Sequence, residues 1–136
     1  MVTREKYFMG RDIKFKSELT PELEKNAEDT IKRVNALLTD LGWTKEVQIS
    51  SGWRPQQINK EIPNAAKAST HTMCLAADLV DDKNQTLGKL ILSRPDLLKK
   101  HGLWLEDLSN TIGKNTNWVH VDSKQRSARD IQVFKP

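Results

Sequence analysis

An aspartate inside an apolar run constrains this chain more than any other feature. Leu75-Ala76-Ala77-Asp78-Leu79-Val80 reads as a largely buried strand, and a carboxylate buried without a partner is strongly destabilising. Whatever fold the chain adopts must bring a cation or donors to Asp78. Three arrangements meet that demand: a bound metal ion, an ion pair with Arg54, or a turn-capping role beside Asp81 and Asp82. Side chains alternate along a strand, so Ala76 and Asp78 share a face. The alanine leaves room beside the carboxylate for an ion and two imidazoles.

The chain has 3 histidines. His71 precedes Asp78 in Ser69-Thr70-His71-Thr72-Met73-Cys74, a loop that can fold back over the strand. His120 lies in Asn117-Trp118-Val119-His120-Val121-Asp122, whose alternation reads as a second strand. There Val119 and Val121 face the core, while Trp118, His120 and Asp122 share the other face. Two imidazoles and a carboxylate match the common ligand set of catalytic zinc, with water in the fourth position. Each histidine read alone could equally be a hydrogen-bonded residue on a half-buried element. His101 reads as a helix C-terminal residue, where its charge favours the dipole.

The remaining pattern frames these two fragments. Thr20 is placed to cap a helix, with Pro21 at its first position. Leu23, Ala27, Ile31, Val34, Leu38 and Leu41 form one helical face, and Gly42 can end it. Tyr7, Phe8, Ile13 and Phe15 are candidates to pack on the core from an N-terminal stretch without clear periodicity. Val47–Ser50 reads as a strand, followed by a loop carrying Trp53 and Arg54. Short helices are expected at 56–60, 86–93 and 95–102, loops at 61–70 and 81–85, and an edge strand at 131–134. The length suits one core, so residues 1–136 are read as a single domain of α+β class with a small, mostly antiparallel sheet.

Ser69, His71 and Asp78, then Trp118-Val119-His120, resemble the S-x-H-x(6)-D and W-x-H elements of the M15 family of zinc peptidases. That is the group of D-alanyl-D-alanine carboxypeptidases and L-alanyl-D-glutamate endopeptidases. The family's arginine has its counterpart in Ser51-Gly52-Trp53-Arg54-Pro55, and Gly102–Asp107 resembles a stretch preceding the W-x-H strand in small one-domain phage and bacterial members. The resemblance runs from about Glu5 to the end. It implies a hedgehog/D-Ala-D-Ala-peptidase-like fold and Zn2+ bound by His71, Asp78 and His120. It also implies a peptidoglycan stem peptide as substrate, cut at a bond involving a D-amino acid.

The chain departs from that pattern twice. Cys74 stands where the family usually has glycine, which matters if the turn needs a positive φ. Asn117 stands where many relatives carry a carboxylate general base, and an amide cannot take a proton from water. Glu106 is the first substitute, Asp122 the second and Asp107 the third; Asp122 could instead orient a ligand histidine. Arg54 suits an oxyanion or a substrate carboxylate, unless it serves as an ion pair ordering its loop. Ser69, Trp53 and Trp118 are the further substrate-binding candidates, the two tryptophans being equally readable as core aromatics.

Net charge is +4 with a pI near 9.2, and residues 114–136 carry five basic side chains against two acidic ones. Attraction to an anionic polymer is one reading of that charge and a mildly basic surface with no partner is the other; no zinc-finger spacing or RNA-binding signature accompanies it, and nucleic acid is not expected as a partner. No apolar run reaches membrane-spanning length, so no membrane insertion is expected. The N-terminus lacks the apolar stretch of a secretory signal. The resemblance to the small one-domain members implies an enzyme made in the cytoplasm that acts on the cell wall after release, in phage lysis, from a virion or in bacterial remodelling; a monomer is expected. Cys74, the 1 cysteine, allows no internal disulfide; it reads first as a small buried residue, with metal ligand or nucleophile as the other options. The rival to a peptidase is a zinc-containing module of the same fold that binds without cleaving.

Overall fold

Helix α3 (Pro21–Asp40) is built as its sequence dictates. The Thr20 hydroxyl accepts from the Leu23 N–H at 3.2 Å, and Pro21 occupies a position whose N–H would go unpaired. Its inner face buries Ala27, Thr30, Val34, Leu37 and Leu38, and Gly42 turns the chain away at φ 72°. The computed structural model describes residues 1–65 and 69–136. The expected loop at 61–70 therefore lies partly outside the described residues.

Two short helices, α1 (Arg4–Phe8) and α2 (Arg11–Lys14), precede α3. Tyr7 and Phe8 are fully buried as expected. Ile13 is not: it is 80% exposed, because α2 spans a single turn and buries none of its residues. Phe8 packs edge-on against Trp53, with ring centroids 6.0 Å apart.

Among the described residues, five strands form one sheet: β1 (Ile49–Ser51), β2 (Ala76–Asp81), β3 (Trp104–Glu106), β4 (Asn117–Asp122) and β5 (Val133–Phe134), in the order β1-β2-β4-β3-β5. All neighbours are antiparallel except β3 and β5. The fold is α+β with a mostly antiparallel sheet. Ala77, Leu79, Leu105, Val119 and Val121 form its core face, all buried with the α3 residues. Helices α4 (Gln56–Asn59), α5 (Thr86–Leu92) and α6 (Pro95–Lys100) match the expected short helices to within two residues.

Register decides what the opposite face carries. Asp78 pairs with His120, Ala76 with Asp122, and Asp122 in turn with Trp104. On the far side of β3, Glu106 pairs with Phe134. Since β3 and β4 are antiparallel with Leu105 opposite Val121, one further step brings Glu106 alongside His120. Asp78, His120, Glu106 and Phe134 therefore form a row across four strands, on the side away from the core.

Candidate metal centre and its cleft

The carboxylates near Asp78 divide the labour. Asp81 takes the capping role, its oxygens accepting from the N–H groups of Leu87 and Gly88 at 3.0 and 2.8 Å at the start of α5. Asp78 is left to the cleft face, where two imidazoles meet it. His120 Nδ1 lies 2.8 Å from Asp78 Oδ1, and His71 Nε2 lies 3.2 Å from Asp78 Oδ2. One ligand atom from each of the three residues can be chosen so that all lie within 4.8 Å of one another.

The other nitrogen of each imidazole is already committed. His71 Nδ1 is 2.9 Å from the Gly52 carbonyl oxygen, and His120 Nε2 is 2.8 Å from Asp122 Oδ2. Both partners are acceptors, so those nitrogens carry the protons. The remaining nitrogens would then aim lone pairs at a carboxylate, which repels them unless a cation lies between or each ring carries a second proton. The donor set fits a divalent ion: two neutral imidazoles and one carboxylate, each imidazole oriented by an acceptor behind it.

Electrostatics follow the same geometry. Burial opposes the charge on His120, but its contacts with Asp122 and Asp78 outweigh that and raise its pKa to about 9 in the absence of a metal. Burial also opposes ionisation of Asp78, and the two histidines outweigh it, holding the carboxyl well below the usual range.

His71 owes its position to two close loops. Its carbonyl accepts from the Arg54 N–H at 3.1 Å and its ring bonds Gly52. Gly52 is required there by proximity: a Cβ would stand 2.0 Å from the Tyr7 carbonyl oxygen. The loop then turns back at Cys74, which adopts φ 59°. The left-handed conformation that favours glycine is thus present, held by a cysteine. Cys74 is fully buried and its carbonyl accepts from the Thr30 hydroxyl at 2.6 Å. Burial, only partly offset by a hydrogen bond with Tyr7, pushes its thiol up to about 12, so among its earlier options only that of a buried small residue fits.

The cluster opens into a cleft of about 480 Å³, lined among others by Arg54, Ser69, Glu106, Trp118, Lys124 and Lys135. Glu106 is half-buried, and desolvation raises its pKa despite the neighbouring His120. The Arg54 guanidinium donates to Asn59 Oδ1 at 3.3 Å and has no carboxylate within ion-pair distance among the described residues. Burial lowers its pKa, while Asp78 acts the other way. Its charge is available to the cleft rather than spent on Asp78.

Three expected site residues take other parts. Trp53 is 1% exposed and belongs to the core against Phe8, not to the cleft wall. Asp107 caps the following 3₁₀ turn, accepting from the Ser109 N–H and hydroxyl. Asp122 is fully buried, with His120 and Arg126 on its oxygens, so it orients a histidine and is not free to take a proton from water. Asn117 lies on the opposite face from His120, where its side chain holds Gly113, Asp82 and Lys83. In the sequence Arg126, Lys124 and Lys135 count only as charge; Asp122 ends a strand and the chain after it is irregular, so no local spacing rule signals that Arg126 pairs with Asp122.

An α+β domain with a His/Asp/His cluster on the floor of an open, polar cleft has the layout of a metal-dependent hydrolase. The family model described as Peptidase M15 matches residues 11–122, and the chain belongs to that family. Its members are generally zinc-dependent peptidases. Comparison with curated proteins and with solved structures found no match.

Proposed function

We propose that this chain is a zinc peptidase that hydrolyses peptidoglycan stem peptides at a bond involving a D-amino acid, in cell-wall lysis or remodelling of the phage or virion-associated kind. The observation that carries the metal reading is the convergence of His71 Nε2 and His120 Nδ1 on Asp78, with both opposite nitrogens committed to acceptors. His71, Asp78 and His120 would hold the ion. Zinc bound there supplies Lewis-acid polarisation of the scissile carbonyl and makes water nucleophilic near neutral pH.

Glu106 takes the proton of the attacking water and passes it to the leaving amine. Its raised pKa, caused by desolvation, suits that exchange. Arg54 meets negative charge, on the developing oxyanion or on a substrate carboxylate. Trp118 and Ser69 line the same cleft; the Ser69 hydroxyl also accepts from the His71 N–H at 3.3 Å, which steadies the loop. Lys124 and Lys135 on the cleft wall favour an acidic peptide, as a stem peptide is.

Asn117 at the family's usual base position favours a second reading, a zinc-containing module that binds without cleaving. Digestion of defined peptidoglycan with and without chelator, followed by mass analysis of new termini, separates the two. Chelator-sensitive new amino termini are expected. Intact substrate after prolonged incubation with zinc-loaded protein rejects catalysis.

A further inference from the structure

We propose that Arg126, packed against Phe134 and near Trp104, is a positioning residue that locks Asp122 onto His120 and thereby sets the affinity of the His71/Asp78/His120 site for its metal. The proposal rests on the zinc reading above. The Arg126 fork reaches both oxygens of Asp122, Nη1 to Oδ1 at 2.6 Å and Nη2 to Oδ2 at 3.2 Å. The same Oδ2 accepts from His120 Nε2 at 2.8 Å, and Oδ1 also accepts from the Lys124 N–H at 3.1 Å. Asp122 is 0% exposed.

The guanidinium is itself held. Its carbon lies 3.7 Å from the centroid of Phe134 and 5.6 Å from that of Trp104. Phe134 is fixed by the pairing of β5 with β3 and touches His120 edge-on, centroids 5.7 Å apart. Two routes therefore lead from the C-terminal segment to His120: directly through Phe134, and through Arg126 and Asp122. The family match ends at residue 122, so Arg126 and Phe134 lie in a part of the chain that the family pattern does not cover.

Charge balance explains why a fork is needed. A histidine that gives Nδ1 to a metal is neutral. The buried Asp122 anion is then balanced by direct contact with Arg126 alone among the described residues. Without that cation the carboxylate is an unpaired buried charge, and the hydrogen bond fixing the His120 ring loses its acceptor or its direction. Ligand histidines depend on such acceptors for orientation and basicity.

The test is a zinc competition titration against a chromophoric chelator, on the full chain and on Arg126→Gln, Arg126→Lys, Phe134→Leu and the surface control Arg94→Ala. Arg126→Gln is expected to weaken zinc binding about 10- to 100-fold. Arg126→Lys keeps the charge but not the fork and should fall between it and the wild type. Phe134→Leu keeps apolar bulk without the π face and should weaken binding by about threefold to tenfold. Arg94→Ala should bind as the wild type does. A merely structural role would lower the melting temperature and leave zinc affinity of the folded variants unchanged, and affinities within twofold of wild type would overturn the proposal. If Arg126→Gln does not fold, wild-type affinity in both Arg126→Lys and Phe134→Leu overturns it equally. A wild-type chain that binds no zinc overturns the zinc reading and this proposal together.

Discussion

Asp78 and His120 face each other directly across β2 and β4, and Asp78 Oδ1 lies 2.8 Å from His120 Nδ1. The pairing is a consequence of register, since a slip of one residue would put the two side chains on opposite faces of the sheet. His71 reaches the second oxygen of the same carboxylate from a loop. The cluster thus joins two rigid strands and one anchored turn.

Asp78→Asn keeps the shape of the side chain and removes its charge. Zinc content measured by atomic emission is expected to fall from about one per chain to less than a tenth, with loss of peptide cleavage. Full zinc occupancy in that variant would remove Asp78 from the ligand set.

Glu106→Gln should retain zinc and lose turnover by about 10²- to 10⁴-fold, the usual contribution of a general base. Adding Asn117→Glu to that variant should not restore activity, because residue 117 lies across the strand from the cleft. Recovered turnover in the double variant would move the base to position 117.

Cys74 holds a left-handed backbone at φ 59°, a conformation that costs a non-glycine residue about 1–3 kcal/mol. Cys74→Gly relieves that strain but empties a packed site and loosens the unfolded chain. The two effects oppose, and urea unfolding should place it within about 1 kcal/mol of wild type. Cys74→Val, β-branched at positive φ, should lose more than about 2 kcal/mol. The native thiol should stay silent to a thiol probe at pH 8 and react once urea unfolds the chain, since burial pushes its pKa to about 12.

In chelator, the metal-free chain should be most stable between about pH 4.5 and 6.5. The folded pKa of His120, about 9, lies above an unfolded value near 6.5. Its contribution is fully present below pH ~6.5 and disappears as pH rises through about 9. Asp78 and Asp122 have lowered folded pKa values, so their contribution is present above an unfolded pKa of about 3.9 and fades as pH falls through the folded values. Thermal melts across pH read both limbs. Stability that continued to climb from pH 6.5 to 9 would contradict the protonated His120.

The candidate site was partly visible in the sequence because its key residues break local rules. Asp78 is a charge in an apolar run, and His120 alternates with two valines. Asp122 and Asp107 stood behind Glu106 as second and third candidates, and nothing in the sequence showed that both were already engaged, since a linear chain shows charge but not who already shares it. Trp53 was readable as a cleft wall beside Arg54 or as a core aromatic, and packing against Phe8 decides for the core. Ile13 read as a core contact and stayed in solvent.

Local propensity determined the α3 helix with its Thr20 cap, the two cleft strands, and the alternation that turns Asp78 and His120 to one side and the valines to the other. Those follow from steric and hydrogen-bonding preferences that act within a few residues. Only the tertiary structure decided that His71 meets Asp78, that Glu106 stands alongside His120, and that Arg126 neutralises Asp122 beneath Phe134. Each depends on strand register or on the path of a returning loop, which distant segments set together by competing for one core and one set of buried charges.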